Sequence, residues 1–412
     1  MTSGLVAPDV LPGYEVSMTF LDSDPQLGAS EHAPLRGIRR PWMDYWPPSP
    51  GDALHDWLKT ECPAVLSWRW NPDQPFDRPW QKWSQEARKS GKSRPSIVMP
   101  AHTTTGAPSE ANEHSLIADE MDGQKVAENV STLDQRIQEW ALGTVKPKAF
   151  NYLALNRLYQ TEKPYHSRLP FLEGLPRTNV VGQSFDTVRI HDITGVEEHF
   201  VLAVSGFEFC QIPQTIHTWN AQTVRDQYLP SMGEWLREKF NSKKVYIYTY
   251  NFRSLDPEKK PSEAWIPPFT RAHCDVTPKS GKSRLKLHLP GEADELLKGR
   301  YRMIGMWRAL SGPYQDNTLA VCDSRTVAIN DLVPADILFP HYCDEGYEVT
   351  HNVNHRWFYK RNMGIDDVIV FKHYDSIDTE ASFCPHAAFV DHTAPPNTPP
   401  RASIELRAIL ID

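Results

Sequence analysis

The 412-residue chain contains no apolar run that approaches the length of a membrane span. Its opening residues, Met1-Thr-Ser-Gly-Leu-Val-Ala-Pro-Asp9, lack the basic and apolar regions of a secretory signal. Basic residues are dispersed and outnumbered: 44 Lys and Arg face 52 Asp and Glu, for a net charge of −8. That balance excludes the electrostatic footprint of a nucleic-acid binder. Cysteine is sparse, with Cys62, Cys210, Cys274, Cys322, Cys343 and Cys384 scattered and never in CxxC spacing. Neither a disulfide framework nor a zinc ribbon is written here, and the six read as buried thiols of a cytoplasmic chain.

What is present is an ordinary globular composition, 40% hydrophobic and 23% charged. The length suits two or three domains, or one elaborated domain. The 35 prolines and 13 tryptophans point to strands, turns and irregular connections rather than long helices. Trp42, Trp46, Trp57, Trp68, Trp70, Trp80 and Trp83 crowd one segment, which is too aromatic to stay solvated. A short helix is expected at Asp52–Thr60, capped by Asp52. This arm is expected to pack on the main domain, and a lid over a site is its sharper reading.

Residues 91–118 read as loop, so the chain divides into an extension, 1–118, and a main domain, 119–412. The Gly-Lys-Ser tripeptides at 91–93 and 281–283 lack the glycine spacing of a phosphate loop and read as solvated turns. Ser131-Thr-Leu-Asp134 resembles a capping box opening a helix through Trp140. Thr187–His191 and Phe200–Val204 read as strands. Leu229, Met232, Trp235, Leu236 and Phe240 stripe a helix over about 224–241. Strands follow from Lys244, then at Met303–Arg308, Leu319–Asp323, Trp357–Lys360, Asp367–Lys372 and Ser403–Ile411. Helices early and strands late predict a mainly β chain with flanking helices, a double-stranded β-helix (jelly roll) core with a helical buttress.

Within that core, His273-Cys-Asp275 sets an imidazole and a carboxylate on one face of a strand, since side chains at i and i+2 align. One more imidazole makes the two-histidine-one-carboxylate triad typical of non-haem Fe(II), with positions left open. His373-Tyr-Asp375 repeats the pattern. Only 37 residues follow Asp375, too few to supply a third ligand from several strands on, so that pair reads as ordinary polar residues at a strand end. Third-ligand candidates after Asp275 are His341, His351, His355, His386 and His392.

His386 is chosen because a turn-rich segment leads from it to Arg401-Ala-Ser-Ile-Glu-Leu-Arg407. There Arg401, Ser403, Glu405 and Arg407 share one face, and Ala402, Ile404, Leu406 and Ala408 the other, expected to pack on helices. A guanidinium with a hydroxyl two residues on suits a dicarboxylate. Arg401 and Arg407 stand roughly 20 Å apart along a strand, so one small molecule cannot engage both. Arg401 with Ser403 is chosen, and Arg407 reads as paired with Glu405. Arg308 ends a strand expected to cross the barrel and is a further candidate for binding substrate or co-substrate. Trp357 and Tyr359 read as core.

The run from about Phe150 to the end resembles the fungal hydroxylase/desaturase family that includes gibberellin desaturases and relatives of a cephamycin-pathway hydroxylation protein. The resemblance rests on Ser205-Gly-Phe, Tyr246–Arg253, His273-Cys-Asp275, Trp307-Arg308, Asn354–Tyr359, Phe371–Ser376, Pro385–Phe389 and Arg401–Arg407, in order. The N-terminal 130 residues, longer and richer in tryptophan, depart from the family pattern. The resemblance implies a non-haem iron dioxygenase using Fe(II), 2-oxoglutarate and O2. It would hydroxylate, desaturate or cyclise a small-molecule secondary metabolite by hydrogen abstraction. Fe(II) would sit on His273, Asp275 and His386, and 2-oxoglutarate on Arg401 and Ser403. Neither nucleic acid nor membrane is expected as partner, and a homodimer is compatible with this reading. The competing readings are a zinc-dependent hydrolase on the same triad and a non-catalytic jelly-roll binding protein.

Overall fold

The computed structural model describes residues 111–412 apart from 161, 169–175, 255, 257–264, 311, 314–315, 340–341 and 396–397. The tryptophan arm, its helix at Asp52–Thr60, the tripeptide at 91–93, Cys62 and His341 lie outside the described residues.

In chain order the strands of the first half are β1 (Thr144–Val145), β2 (Phe150–Leu153), β3 (Tyr165–Ser167), β4 (Gly182–Phe185), β5 (Ile190–Asp192), β6 (Phe207–Gln211), β7 (Lys244–Ser254), β8 (Trp265–Ile266) and β9 (His273–Cys274). They continue as β10 (Tyr301–Ala309), β11 (Asn317–Cys322), β12 (Leu332–Leu338), β13 (Cys343–Val349), β14 (Trp357–Tyr359), β15 (Asp367–Asp375), β16 (His386–Val390) and β17 (Ala402–Ile411). Three longer helices, α1 (Ala111–Glu139), α2 (Leu229–Phe240) and α3 (Pro278–His288), accompany them.

Two sheets face each other. One has the order β6-β15-β10-β17-β7-β8 and the other β1-β5-β14-β11-β16-β9-β13-β12-β3; β2 and β4 form a separate pair. This is the expected jelly roll, mostly β with few helices. The outer face of the six-stranded sheet buries Ile304, Met306, Ile404, Leu406 and Ala408 against Tyr228, Leu229, Met232 and Leu236. The apolar half of the β17 alternation therefore meets the helical layer, as its period of two requires. Between the sheets Trp307, Leu319, Val321, Phe358 and Phe371 pack with Leu133 and Ile137 of α1. Beyond the nine-stranded sheet, Phe150 and Tyr152 of β2 cover Cys274, Ala387, Phe389 and Trp357.

Several local expectations are corrected. Helix α1 begins at Ala111, so Ser131 lies within it and caps nothing. Phe200–Val204 is not a strand: residues Leu202–Ser205 form one helical turn closed by Gly206 at φ +84°. An added Cβ there would lie 2.4 Å from the Phe383 carbonyl oxygen, so only glycine fits. The second Gly-Lys-Ser is no turn, since α3 contains it, capped by a reciprocal Thr277–Ser280 box. Cys343 is exposed and Cys210 half-buried, whereas Cys274, Cys322 and Cys384 are buried as expected; all five are free thiols. Among the described residues no helix is long and apolar enough to cross a membrane.

Candidate metal centre

Strand β9 is two residues long and is held between β13 and β16. Its pairing sets His386 directly opposite His273, with ring centroids 4.2 Å apart. On the other side Glu348 pairs with His273. Gly346 lies where the backbone turns towards Asp275, and a Cβ there would lie 2.9 Å from the Cys274 carbonyl oxygen. Close packing of three backbones thus brings together two imidazoles that are 113 positions apart in sequence (386 − 273).

Both imidazoles have one nitrogen committed. His273 Nδ1 donates to the Arg271 carbonyl at 2.9 Å, and His386 Nδ1 donates to the Cys384 carbonyl at 3.0 Å. With Nδ1 so committed, Nε2 of each ring is left for the site, the arrangement that metal-ligating histidines use. His273 Nε2 lies 3.7 Å from Asp275 Oδ1 and His386 Nε2 3.5 Å from Asp275 Oδ2. One donor atom from each of His273, Asp275 and His386 falls within 4.8 Å of the others. The donor set fits Fe(II) on its chemistry, and Asp275 Oδ2 is buried without a hydrogen-bond partner among the described residues.

Burial pushes the His273 imidazole down to about 3, helped by the neighbouring His386 and opposed by Asp275. Burial would raise the Asp275 carboxyl, but Arg407 foremost, with His373 and His386, holds it well below the usual carboxylate range. Both shifts favour a neutral His273 and an ionised Asp275, the forms that bind a cation.

His373 corrects the sequence reading. It is 1% exposed and its Nδ1 lies 3.1 Å from Asp275 Oδ2, off the line of a hydrogen bond, so neither ring nitrogen has a hydrogen-bond partner among the described residues. The alternation of β15 puts it there, since Ile369 and Phe371 also point between the sheets. Met303 pairs with Tyr374 and Ile304 with Lys372, leaving His373 as the extra residue on β15. The bulge separates His373 from Asp375, which unbroken alternation would place on one face. Gly305 makes room for the ring: a Cβ there would lie 2.5 Å from His373 Nε2 and 2.8 Å from the Phe371 ring. Asp375 is not at the site; it pairs with Arg300 at 2.7 Å and Lys372 at 2.6 Å.

The remaining histidine candidates are elsewhere. His355 bonds Asp331 at 3.0 Å, and His351 stacks on Phe185 with centroids 3.9 Å apart. His392 is exposed in the loop after β16.

Arg401 and Ser403 are together. Arg401 is 1% and Ser403 0% exposed, and Arg401 Nε donates to Ser403 Oγ at 3.0 Å. Arg401 Nη1 reaches Asn317 Oδ1 at 3.5 Å, and its guanidinium lies 5.0 Å from the Trp307 ring centroid. Among the described residues no carboxylate forms an ion pair with this buried cation, whereas Arg253 grips Glu405 through two bonds of 2.9 Å. Burial, with Arg253 nearby, lowers the Arg401 guanidinium to about 9. The indole Nε1 of Trp307 is also buried without a partner.

Arg308 faces the other way. Trp307 points between the sheets, so Arg308 points to the helices, donating to the carbonyls of Ile212 at 3.0 Å and Ile365 at 2.7 Å. It is a structural arginine, and the alternation of β10 was the signal that distinguishes it from Trp307. Trp357 and Tyr359 are core residues, as expected.

A cavity of about 250 Å³ opens on His273 and Asp275. Tyr248, Asn251, Arg253, Phe269, Phe339 and Tyr342 are among its walls, and His386, Arg401 and Ser403 are not. Of the arginines that line it, Arg253, Arg284 and Arg407 are paired with carboxylates, and Arg168 lines it as well.

Comparison with known proteins agrees with this geometry. Residues 150–411 match the model of the oxidoreductase/YMDC permease-like domain. The aspirochlorine biosynthesis protein N of Aspergillus oryzae is 28% identical over 48% of this chain and 84% of its own. The Fe(II)/2-oxoglutarate-dependent dioxygenase nvfI of Aspergillus novofumigatus is 29% identical over 54% of this chain and 82% of its own. The hydroxylase/desaturase efuI of Hormonema carpetanum is 27% identical over 54% and 82%. In fold, a solved structure of the iron and alpha-ketoglutarate-dependent endoperoxidase NvfI superposes with a TM-score of 0.58 at 24% identity, covering 66% of this chain and 98% of that one. The chain belongs to the oxidoreductase/YMDC permease-like domain family and, with these relatives, to the Fe(II)/2-oxoglutarate-dependent oxygenases.

Proposed function

We propose that this enzyme oxidises a small-molecule secondary metabolite, with His273, Asp275 and His386 holding Fe(II) and Arg401 and Ser403 receiving the distal carboxylate of 2-oxoglutarate. The observation that carries the reading is the pair of backbone carbonyls that fix both histidine tautomers, leaving both Nε2 lone pairs beside one carboxylate. The unpaired, buried Arg401 guanidinium supports the anchor, because an ionised group in such surroundings is costly until a counter-ion arrives. Bound Fe(II), 2-oxoglutarate and O2 supply an oxidant for C–H bonds, with succinate and carbon dioxide as co-products. The chain's own residues orient the ligands and exclude water. The cavity wall of Phe269, Phe339 and Tyr342 positions an uncharged, largely apolar face of the substrate beside His273.

The catalytic domain in this reading is residues 119–412, with 1–118 as an extension. Hydroxylation, desaturation and cyclisation all begin with removal of one hydrogen, and the pocket selects which. The test is anaerobic titration of the apoprotein with Fe(II) and 2-oxoglutarate. A weak visible charge-transfer band is expected in the wild type and in His373→Ala, and none in His386→Ala. A wild type without the band, or a His386→Ala variant that keeps it, overturns the assignment. A substrate screen read by succinate formation then identifies the reaction.

A further inference from the structure

We propose that Arg407 is a positioning residue for the metal centre, one that fixes the Asp275 carboxylate from behind. This rests on the reading of His273, Asp275 and His386 as ligands. Arg407 Nη2 lies 3.1 Å from Asp275 Oδ1 and 3.1 Å from Glu405 Oε1. Glu405 in turn accepts two bonds of 2.9 Å from Arg253, whose Nη1 donates to the Pro267 carbonyl at 3.0 Å. Asn251 Nδ2 adds a further bond to Glu405 at 3.3 Å. Charges alternate along this row: Asp275, Arg407, Glu405, Arg253. The row joins the candidate iron ligand to the cavity wall across β17 and β7.

The backbone explains why Arg407 reaches Asp275. The polar face of β17 points between the sheets, and Arg407 pairs with Gly305 on one side and Thr249 on the other. Gly305 leaves the space above it to the His373 and Phe371 rings. Directly after Thr249 the ladder slips by one residue, with Ala408 opposite Ile247, which leaves Tyr248 as the extra residue. Two bulges, at Tyr248 and His373, thus bracket the height of the barrel at which Arg407 meets Asp275. Asp275 is only 12% exposed in its side chain, so water cannot orient it, and the guanidinium does so instead.

A charge held rigidly against one carboxylate oxygen restricts rotation of the group and keeps its remaining lone pairs on the side of the His273 and His386 Nε2 atoms, where one cation would meet all three donors. Groups that hold ligands in this way typically change metal affinity by about 10–100-fold when removed. A cation that only repelled the metal would have the opposite effect, and the two are separable.

The experiment titrates the apoprotein with Co(II) under nitrogen and follows its ligand-field absorption, without substrate or turnover. Arg407→Gln is expected to weaken Co(II) binding by about 10–100-fold and to alter the band shape. Arg407→Lys keeps a charge on a shorter stem that cannot span both carboxylates, and should fall between that variant and the wild type. Circular dichroism confirms folding, and Arg407→Lys carries the test if the glutamine variant does not fold. Wild-type or tighter Co(II) affinity in a folded variant overturns the proposal. His386→Ala distinguishes the two readings: loss of Co(II) there with full binding in Arg407→Gln refutes only the role of Arg407, whereas full binding in His386→Ala refutes the triad.

Discussion

The guanidinium of Arg401 lies 5.0 Å from the Trp307 ring centroid and donates to Ser403, with no described carboxylate paired to it. A buried cation left in this state costs stability in the protein without ligand and returns it on binding. Arg401→Met should therefore separate stability from function. Its apoprotein should melt above the wild type by roughly 2–4 °C for each kcal/mol gained. Its affinity for 2-oxoglutarate, read by the ferrous charge-transfer band, should fall by at least about 100-fold, as expected for loss of a charged bidentate contact. Retained affinity would place the anchor elsewhere.

Metal should stabilise the fold measurably. The three donors come from β9, the residue just after it and β16, so an ion held there ties the strands together. At a free Fe(II) or Mn(II) concentration 100 times Kd, the gain is about 2.7 kcal/mol. Differential scanning fluorimetry should show a rise in Tm that EDTA reverses in the wild type and that is missing in Asp275→Asn. An equal rise in that variant would mean that the ion binds elsewhere.

Gly305 is a steric requirement of the site. In Gly305→Ala the new methyl would meet the Phe371 ring and His373 Nε2, both enclosed in the core. Overpacking of this kind costs about 1–3 kcal/mol. It also drives His373 towards Asp275, so a lower Tm should accompany weaker Co(II) binding. Wild-type behaviour in both assays would show that the bulged segment of β15 yields easily.

Acid should unfold the metal-free protein earlier than surface charge alone predicts. Burial pushes His191 down to about 4 and His288 down to about 4, and His273 to about 3. Their folded values lie below the unfolded value, so the unfolded chain binds more protons between pH 6.5 and 4. Stability is then fully present above about pH 6.5 and falls as pH drops towards 4, by up to roughly 1.4 kcal/mol per pH unit for each such group. Asp275 and Glu348, both held low once their ion-pair partners outweigh burial, extend the loss below the ordinary carboxylate range. Thermal melts at pH 7, 5.5 and 4.5 should show a steepening decline, and a flat profile would contradict the buried neutral imidazoles.

The strongest features of the sequence were those encoded by short-range geometry. Alternation placed His273 with Asp275 and put Arg401, Ser403, Glu405 and Arg407 on one face of β17, because the strand period of two is a property of the backbone itself. Many strand positions and the Leu229–Phe240 helix followed from the same local periodicity, whereas Phe200–Val204 and the helix start at Ser131 did not, and the late run of strands indicated a jelly roll. Only tertiary structure could set His386 against His273, since that choice depends on which strands pair and in what register. The bulge that separates His373 from Asp375 and the ion pair between Arg407 and Asp275 were decided at the same level. A bulge changes facing by one residue without any mark in composition, and a charge partner across the barrel is selected by packing distance, which a linear pattern does not contain.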